Sequence, residues 1–204
     1  MGHIRAFLAL SFPPEVREHL NLLQQRLRPF LPPVSWVRSE NIHVTLKFFG
    51  SITPALVEQL FEALRDIASQ LSPFSLNIQG IGVFPHSRSP RVLWAGLTGS
   101  ADRLIDLHEH IQITLEPLGF PVDEKPFHPH VTLARIKSDW GKVGKALTAG
   151  GFLESGEVVS SLVVDRMVLY RSELSSSGPR YEALWSISFG WSPEVSSQPK
   201  RLKL

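Results

Sequence analysis

The 204-residue chain contains no cysteine. Disulfide bonds, thiolate metal sites and a thiol nucleophile are therefore excluded, and the absence is typical of a reducing compartment. The chain also lacks any apolar run near the roughly 18 residues that a membrane-spanning helix needs. Residues 1–5 lead directly into a strand-like segment rather than into the core of a signal peptide. We expect a cytoplasmic protein with no membrane association.

The chain carries little net charge, +2 by formal count, and has a sequence pI near 9.1. Its 43% hydrophobic and 20% charged residues are typical of a globular protein. The length fits one sizeable domain or two small lobes that share a core. Arginine outnumbers lysine by fourteen to seven. Because guanidinium groups bind phosphate in a planar, bidentate geometry, this ratio favours a phosphate ligand over a general polycationic surface.

One tetrapeptide occurs twice, as His43-Val44-Thr45-Leu46 and as His130-Val131-Thr132-Leu133. The chain has eight histidines and six threonines, so the number of such matches expected by chance is about 0.04. Side chains alternate along a strand, and each copy therefore places the imidazole and the hydroxyl on one face. A single copy is better explained as a strand with a core histidine, but two copies indicate a functional pair.

The pattern around both copies predicts the same order of elements: a strand, a helix, the tetrapeptide strand and a second helix. In each half a predicted N-cap serine begins the helix before the tetrapeptide strand. The spacing from this serine to the histidine is 32 residues in the first half, from Ser11 to His43, and 30 residues in the second, from Ser100 to His130. This spacing predicts an internal duplication whose two-fold relation brings both His-Thr faces into one cleft. The full prediction has a strand at the second tetrapeptide, strands over residues 4–12, 34–37, 42–49, 74–84, 92–97, 158–170 and 181–189, and helices capped by Ser11, Thr53, Ser100 and Ser138.

Two histidines beside two threonines suit the cleavage of a phosphodiester without a metal ion. One imidazole can take a proton from the attacking oxygen while the other gives a proton to the departing oxygen, because the ordinary pKa of histidine is about 6.5. Each threonine lies about 6.6 Å along the strand from its histidine. It can donate a hydrogen bond to a non-bridging phosphate oxygen, whereas valine has the same shape but cannot donate.

Similarity to a known family extends over most of the chain. It rests on the two His-x-Thr-x motifs and on the segments Arg5–Leu10, Trp36–Arg38, Asn41–Gly50, Phe84-Pro85, Arg91–Leu97, Pro126–Arg135 and Leu169–Leu174. The chain resembles the two-histidine (2H) phosphoesterase superfamily and, within it, the LigT-like family of RNA 2′,3′-cyclic phosphodiesterases or bacterial and archaeal 2′-5′ RNA ligases. The resemblance implies an α+β fold with two duplicated lobes, mainly antiparallel sheets and a central cleft. We expect one domain over residues 1–190 and a flexible basic tail over residues 191–204.

The resemblance implies an enzyme that needs neither a metal ion nor a cofactor and opens a 2′,3′-cyclic phosphate at an RNA end to a 2′-phosphate. In some members the activity includes reversible 2′-5′ joining of RNA, with tRNA halves as candidate substrates. The resemblance makes His43 the proton donor to the leaving 3′ oxygen and His130 the base that activates water. Thr45 and Thr132 would hold the phosphate. We expect the protein to act as a monomer.

Arg135 matches an arginine that the family places near the phosphate or the nucleotide. Strict alternation from His130 would turn its side chain to the opposite face of the strand, so a bulge or the strand end must redirect it toward the cleft. Without such a feature Arg135 has only a structural role. At the level of sequence both interpretations stand.

Alternation along the first tetrapeptide strand places Lys47 and Phe49 on the face of its histidine, where they can contact RNA. The same alternation turns Phe48 toward the core. Tyr181 could also stack on a base, but packing in the core is the better explanation for this residue.

The residues allow three other functions. The same histidines could hydrolyse a small cyclic nucleotide or an ADP-ribose cyclic phosphate, or the cleft could bind RNA without catalysis. A metallohydrolase would need a site built from His128 and His130, with His108 or His110 as a third ligand, but no acidic cluster accompanies them. His128 also stands where the family often has arginine, which argues against a phosphate contact at that position.

Overall fold

The chain folds into nine strands and four α-helices within residues 2–176 and 178–190, which the computed structural model describes. The tail predicted over residues 191–204 lies outside the described residues. The strands are β1 (Ile4–Ser11), β2 (Ser35–Trp36), β3 (His43–Ile52), β4 (Phe74–Phe84), β5 (Val92–Gly99), β6 (His130–Arg135), β7 (Val158–Val164), β8 (Arg166–Ser175) and β9 (Gly178–Ser188). The helices are α1 (Pro14–Leu27), α2 (Pro54–Gln70), α3 (Ala101–Leu115) and α4 (Trp140–Ala149).

The strands form two antiparallel sheets. The first sheet has the order β3-β1-β8-β9, and the second has the order β2-β6-β5-β4-β7. In each sheet the tetrapeptide strand pairs with the strand that opens its half of the chain, β3 with β1 and β6 with β5. Each sheet forms one lobe. The α+β fold with two duplicated, antiparallel lobes is therefore confirmed.

Two helices that each follow a strand of one lobe pack against elements of the other lobe. Helix α1 follows β1 of the first sheet but packs against β7 of the second. Helix α3 follows β5 of the second sheet but packs against α2. In turn α2 lies on the first sheet, where Trp185 donates to the Val57 carbonyl (3.1 Å). As predicted, α2 is capped by Thr53, whose hydroxyl accepts from the backbone of Leu56 (3.4 Å). Buried apolar side chains of both lobes form one continuous core. None of the helices in the described residues is long and apolar enough to cross a membrane.

The segment predicted as one strand over residues 158–170 is in fact two strands. The first of them, β7, belongs to the second sheet, and β8 belongs to the first. The chain passes between the lobes at Asp165, whose carboxylate binds Arg166 (2.9 Å) and whose carbonyl accepts from the backbone of Phe189 (2.7 Å). Buried apolar residues continue on both sides of this crossing, so the sequence pattern carries no signal of the break.

Two predicted helix caps, Ser11 and Ser138, are wrong, and a third lacks its hydrogen bond. Ser11 lies in β1, and α1 begins at Pro14, whose fixed φ suits the first helical turn. Ser100 occupies the N-cap position of α3 but makes no side-chain cap hydrogen bond. The residue that precedes α4 is Asp139 rather than Ser138. The order of strands and helices still matches the prediction in both halves.

Candidate active site

The two tetrapeptide strands, β3 and β6, contact each other. In both strands the histidine and the threonine are half-buried, whereas the valine and the leucine are buried. Each imidazole therefore shares a face with its hydroxyl, as predicted. We call the region between these faces the cleft and define it by His43, Thr45, His130 and Thr132.

Backbone carbonyls hold both imidazoles in the same tautomer. His43 Nδ1 lies 2.7 Å from the Asn41 carbonyl, and His130 Nδ1 lies 2.7 Å from the His128 carbonyl. A carbonyl can only accept a hydrogen bond, so Nδ1 carries the hydrogen in both neutral rings. Nε2 then has a free lone pair and can accept a proton. In the first copy Nε2 accepts a hydrogen bond from the Thr45 hydroxyl (3.0 Å).

Asn41, which supports the first histidine, is itself fixed. The residue is buried, and its Nδ2 donates to the Pro179 carbonyl of β9 (2.8 Å). The orientation of His43 thus depends on a contact with the far edge of the first sheet. Sequence reasoning does not identify Asn41 as a site residue, although it begins a segment that resembles the family.

Burial lowers the pKa of both histidines. The pKa of His43 falls from 6.5 to about 4, mainly because the ring is desolvated, although its hydrogen bond to Asn41 opposes the change. The positive charges of Arg135 and His130 lower it further. Burial also lowers the pKa of His130, and the charges of His128 and Arg135 add to this effect. The effect of His130 on His43 agrees with the contact between β3 and β6, because Coulomb interactions weaken with distance.

A β-bulge occurs at the same position of both tetrapeptide strands. The register of β3 with β1 skips Leu46, and the register of β6 with β5 skips Leu133. An extra residue in a strand turns every later side chain to the other face. The residue five places after each histidine therefore lies on the face of that histidine. This residue is Phe48 in the first copy and Arg135 in the second.

The bulge at Leu133 directs Arg135 toward the cleft. The positive charge of this arginine lowers the pKa values of His43 and His130 and opposes the rise in the pKa of Tyr181 that burial causes. Strict alternation would have placed Arg135 on the opposite face, and the bulge is the physical reason why it does not. A role of Arg135 in substrate binding stays a prediction.

The bulge at Leu46 overturns the prediction for Lys47. This lysine is 5% exposed and points away from the cleft. Its ammonium donates to the side chain of Gln112 in α3, to the Pro121 carbonyl (2.7 Å) and to Asp123 Oδ1 (2.7 Å). Lys47 is therefore a buried link between β3, α3 and the segment that leads to β6, not a residue that contacts RNA.

The same bulge exchanges the predicted positions of two phenylalanines. Phe49 is buried against Phe120, with ring centroids 4.9 Å apart. Phe48 is 59% exposed and lies on the face of His43. The predictions that Phe49 faces the cleft and that Phe48 packs in the core are both wrong.

Aromatic rings surround the first histidine. Phe7 is 2% exposed and lies 4.8 Å from His43 between ring centroids. It also contacts Phe48, Tyr170 and Tyr181, at 5.6, 5.4 and 4.8 Å. Tyr181 makes an edge-to-face contact with the His43 ring at 5.4 Å, so it borders the cleft and does not lie in the core alone. Sequence reasoning does not identify Phe7 or Tyr170, although both lie in segments that resemble the family.

A second aromatic group surrounds the second histidine. The ring centroids of Phe84 and Trp94 lie 5.1 and 6.3 Å from that of His130. The exposed His128 meets the edge of Trp94 at 4.8 Å. Each lobe thus shields one face of its histidine from water, which is the cause of the lowered pKa values.

The metal site considered from the sequence is not assembled. His108 is buried, stacks on Phe127 at 4.0 Å and accepts a hydrogen bond from Gln112 Nε2 (2.9 Å). His110 is exposed on α3. Within residues 2–176 and 178–190, no group of three or more histidine, aspartate or glutamate side chains could hold a metal ion. His108 and His110 thus do not complete a metal site with His128 and His130 among the described residues.

Two duplicated antiparallel lobes, each with a His-x-Thr strand, define a phosphoesterase of the two-histidine class. The model of the LigT-like phosphoesterase family matches residues 10–94 and again residues 97–181. The chain therefore belongs to the LigT-like phosphoesterase family. The two matches correspond to the two halves of the duplication, and each contains one tetrapeptide.

The chain is similar to proteins of several other organisms. A protein of Methanothermobacter thermautotrophicus named RNA 2′,3′-cyclic phosphodiesterase is 34% identical over 87% of this chain and 95% of its own length. A protein of Bacillus subtilis with the same name is 36% identical over 77% of this chain and 81% of its own length. A crystal structure of a Thermus thermophilus protein superposes with a TM-score of 0.74 at 28% identity, and the match covers 91% of this chain and 98% of that one.

Proposed function

We propose that the protein hydrolyses the 2′,3′-cyclic phosphate at the end of an RNA strand and leaves a 2′-phosphate. The observation that carries this proposal is the matched pair of imidazoles. In both neutral rings Nε2 carries the lone pair that can take up a proton, and the charge of His130 acts on the pKa of His43. The names of the two relatives described above support an RNA 2′,3′-cyclic phosphate as the substrate.

In the proposed reaction, His130 Nε2 takes a proton from water while the water oxygen forms a bond to phosphorus. The bond between phosphorus and the 3′ oxygen breaks, and His43 gives the proton on its Nε2 to that oxygen. One water molecule is consumed, and a 2′-phosphate and a free 3′-hydroxyl result. The carbonyls of Asn41 and His128 accept from Nδ1 throughout, so they stabilise each ring while it carries its second proton.

His43 must be protonated before it can act as the donor. With a pKa of about 4, it is neutral near pH 7 in the free protein. A phosphodiester anion between the rings favours their charged forms and raises the pKa of both, so binding of the substrate is coupled to uptake of the proton. If an RNA 5′-hydroxyl takes the place of water, the same steps yield a 2′-5′ linkage, which is the ligation expected for some family members.

The threonines and Arg135 bind the phosphate in this proposal. The Thr45 hydroxyl lies 3.0 Å from His43 Nε2 in the free protein and turns to a non-bridging phosphate oxygen when the substrate binds. Thr132 pairs with Trp94 across β5 and β6 and donates from the other lobe. Arg135 binds the negative charge that the phosphate carries in the bound substrate as well as in the transition state, so its loss should act mainly on KM. Donors and charges fixed at this place contribute several kcal/mol to stabilisation of the transition state.

The test is hydrolysis of a short RNA that ends in a 2′,3′-cyclic phosphate, with the product identified by ³¹P NMR. We expect a 2′-phosphate and the same rate with and without a chelator. His43→Ala and His130→Ala should each lower kcat/KM at least about 100-fold with an unchanged circular dichroism spectrum. His110→Ala, at an exposed position of α3, is the matched control and should retain activity. A 3′-phosphate product, loss of activity with the chelator, or near-wild-type activity of either histidine variant contradicts the proposal.

The same assay separates the alternative functions. A higher kcat/KM for a cyclic mononucleotide or an ADP-ribose cyclic phosphate than for the oligonucleotide would identify a small-molecule phosphodiesterase. Tight, salt-sensitive RNA binding without turnover would identify a binding module. The exposed ring of Phe48 favours the oligonucleotide, because an exposed aromatic ring offers a surface on which a base can stack.

A further inference from the structure

Gln24 is a buried polar residue on the apolar face of α1. It is 1% exposed, and its buried neighbours on that face are Leu20, Leu23 and Leu27. A buried amide is costly unless its hydrogen bonds are made. The Gln24 amide makes two of them, since Nε2 donates to the Val37 carbonyl (2.9 Å) and to the Leu133 carbonyl (2.9 Å).

One of these acceptors is the bulged residue of β6. Leu133 has no register partner on β5, and its carbonyl is bound instead from the other side of the strand. It accepts from the backbone N–H of Val37 (2.9 Å) and from Gln24 Nε2. Arg135 follows two residues later, where it pairs with Ser35 of β2 and Val92 of β5.

We propose that Gln24 is a positioning residue that holds the bulge of β6 and thereby directs Arg135 into the cleft. Both groups that Gln24 Nε2 binds are carbonyl oxygens, so only a donor satisfies them. Methionine fills a similar volume but donates nothing. The inference rests on the proposed function only for its effect on catalysis, because the geometry of the bulge does not depend on the substrate.

Loss of the amide should loosen the bulge without unfolding β6. The Leu133 carbonyl keeps the hydrogen bond from Val37, and the pairing of β6 with β5 on either side of the bulge is unaffected. One restraint on the direction of Arg135 is lost. We therefore expect Gln24→Met to raise KM for the RNA about tenfold, as for the loss of one good hydrogen bond, with a much smaller change in kcat.

The experiment measures kcat and KM for Gln24→Met, Arg135→Met and the double variant. If Gln24 acts through Arg135, Gln24→Met raises KM in the wild-type background and has no further effect in the Arg135→Met background. Gln25→Met is the matched control, because Gln25 is the exposed neighbour on the same helix, and it should behave as wild type. An equal effect of Gln24→Met on KM in both backgrounds, or no effect in either, overturns the inference.

A second measurement needs no substrate. The charge of Arg135 lowers the pKa of both His43 and His130, so displacement of the guanidinium should raise both values. NMR titration of the histidine ring protons in Gln24→Met should show this rise, and Gln25→Met should not. If Arg135→Met leaves the kinetics unchanged, the proposed role of Arg135 in catalysis fails, while the titration still decides the role of Gln24. If Gln24→Met does not fold, Gln24→Asn, which keeps the amide but shortens its reach, takes its place in both measurements.

Discussion

His43 makes the stability of the fold depend on pH. Its ring contacts Phe7 and Tyr181, and burial lowers its pKa from 6.5 to about 4. In the unfolded chain this residue binds a proton near pH 6.5, whereas in the folded protein it stays neutral until about pH 4. As the pH falls through this range the unfolded state gains the proton first, so the free energy of unfolding decreases.

The size of this effect follows from the two pKa values of His43. They differ by about 2.5, and each pKa unit corresponds to about 1.36 kcal/mol. The contribution of His43 to the free energy of unfolding should thus fall by about 3 kcal/mol between pH 7 and pH 4. Burial also lowers the pKa values of His108 and His130, which change the stability in the same direction. A substitution must therefore isolate the part that belongs to His43.

The measurement is urea unfolding of the wild type and His43→Asn at pH 7 and at pH 4. Asparagine does not titrate, so we expect the loss of stability on acidification to be smaller by about 3 kcal/mol in the variant. This difference holds whatever the stability of the variant at pH 7. His110→Asn, at an exposed position, is the control and should follow the wild type. Equal pH dependence of the wild type and His43→Asn would refute a buried, neutral imidazole.

Two further predictions concern the phosphate donors and the buried lysine. Thr45→Val and Thr132→Val keep the shape of the side chain but remove the hydroxyl, so each should lower kcat about 100-fold with little change in Tm; an unchanged kcat would mean that other groups hold the phosphate. Lys47→Met removes a buried ammonium and should lower the free energy of unfolding at pH 7 by about 2 kcal/mol. The loss is moderate because its partner Asp123 is half-exposed and can be hydrated instead. Lys142→Met, which removes an exposed ion pair, is its control, and equal stability of the two variants would argue against a structural role of Lys47.

The parts of the site that depend on local periodicity could be predicted from the sequence. The shared face of His43 and Thr45 requires only that residues 43–46 form a strand, because the side-chain period of a strand is two. The same holds for the second copy. The cap at Thr53 depends on a hydrogen bond to a residue three places later, so a local motif is enough to predict it as well.

The bulges could not be predicted, because the contacts around them join residues distant in sequence. Gln24 holds the Leu133 carbonyl across 109 residues. Lys47 binds Gln112 and Asp123 across 65 and 76 residues. A leucine at the bulge is compatible with either register, so nothing in the tetrapeptides indicates where the alternation reverses. The errors at Lys47 and the two phenylalanines that follow it share this single cause.

The bulges also make a nearly symmetric cleft asymmetric. Two identical tetrapeptides related by a two-fold axis would offer a phosphate the same groups on both sides, and the two histidines would have no physical basis for different roles. The residue that each bulge turns into the cleft differs, however, since the first lobe presents the exposed ring of Phe48 and the second presents Arg135. A cation attracts the phosphate of a nucleotide, and an exposed aromatic ring offers a surface on which its base can stack. The two groups therefore favour opposite ends of the nucleotide. In the proposed reaction this asymmetry orients the substrate, so that His43 and His130 meet different oxygens of the same phosphate.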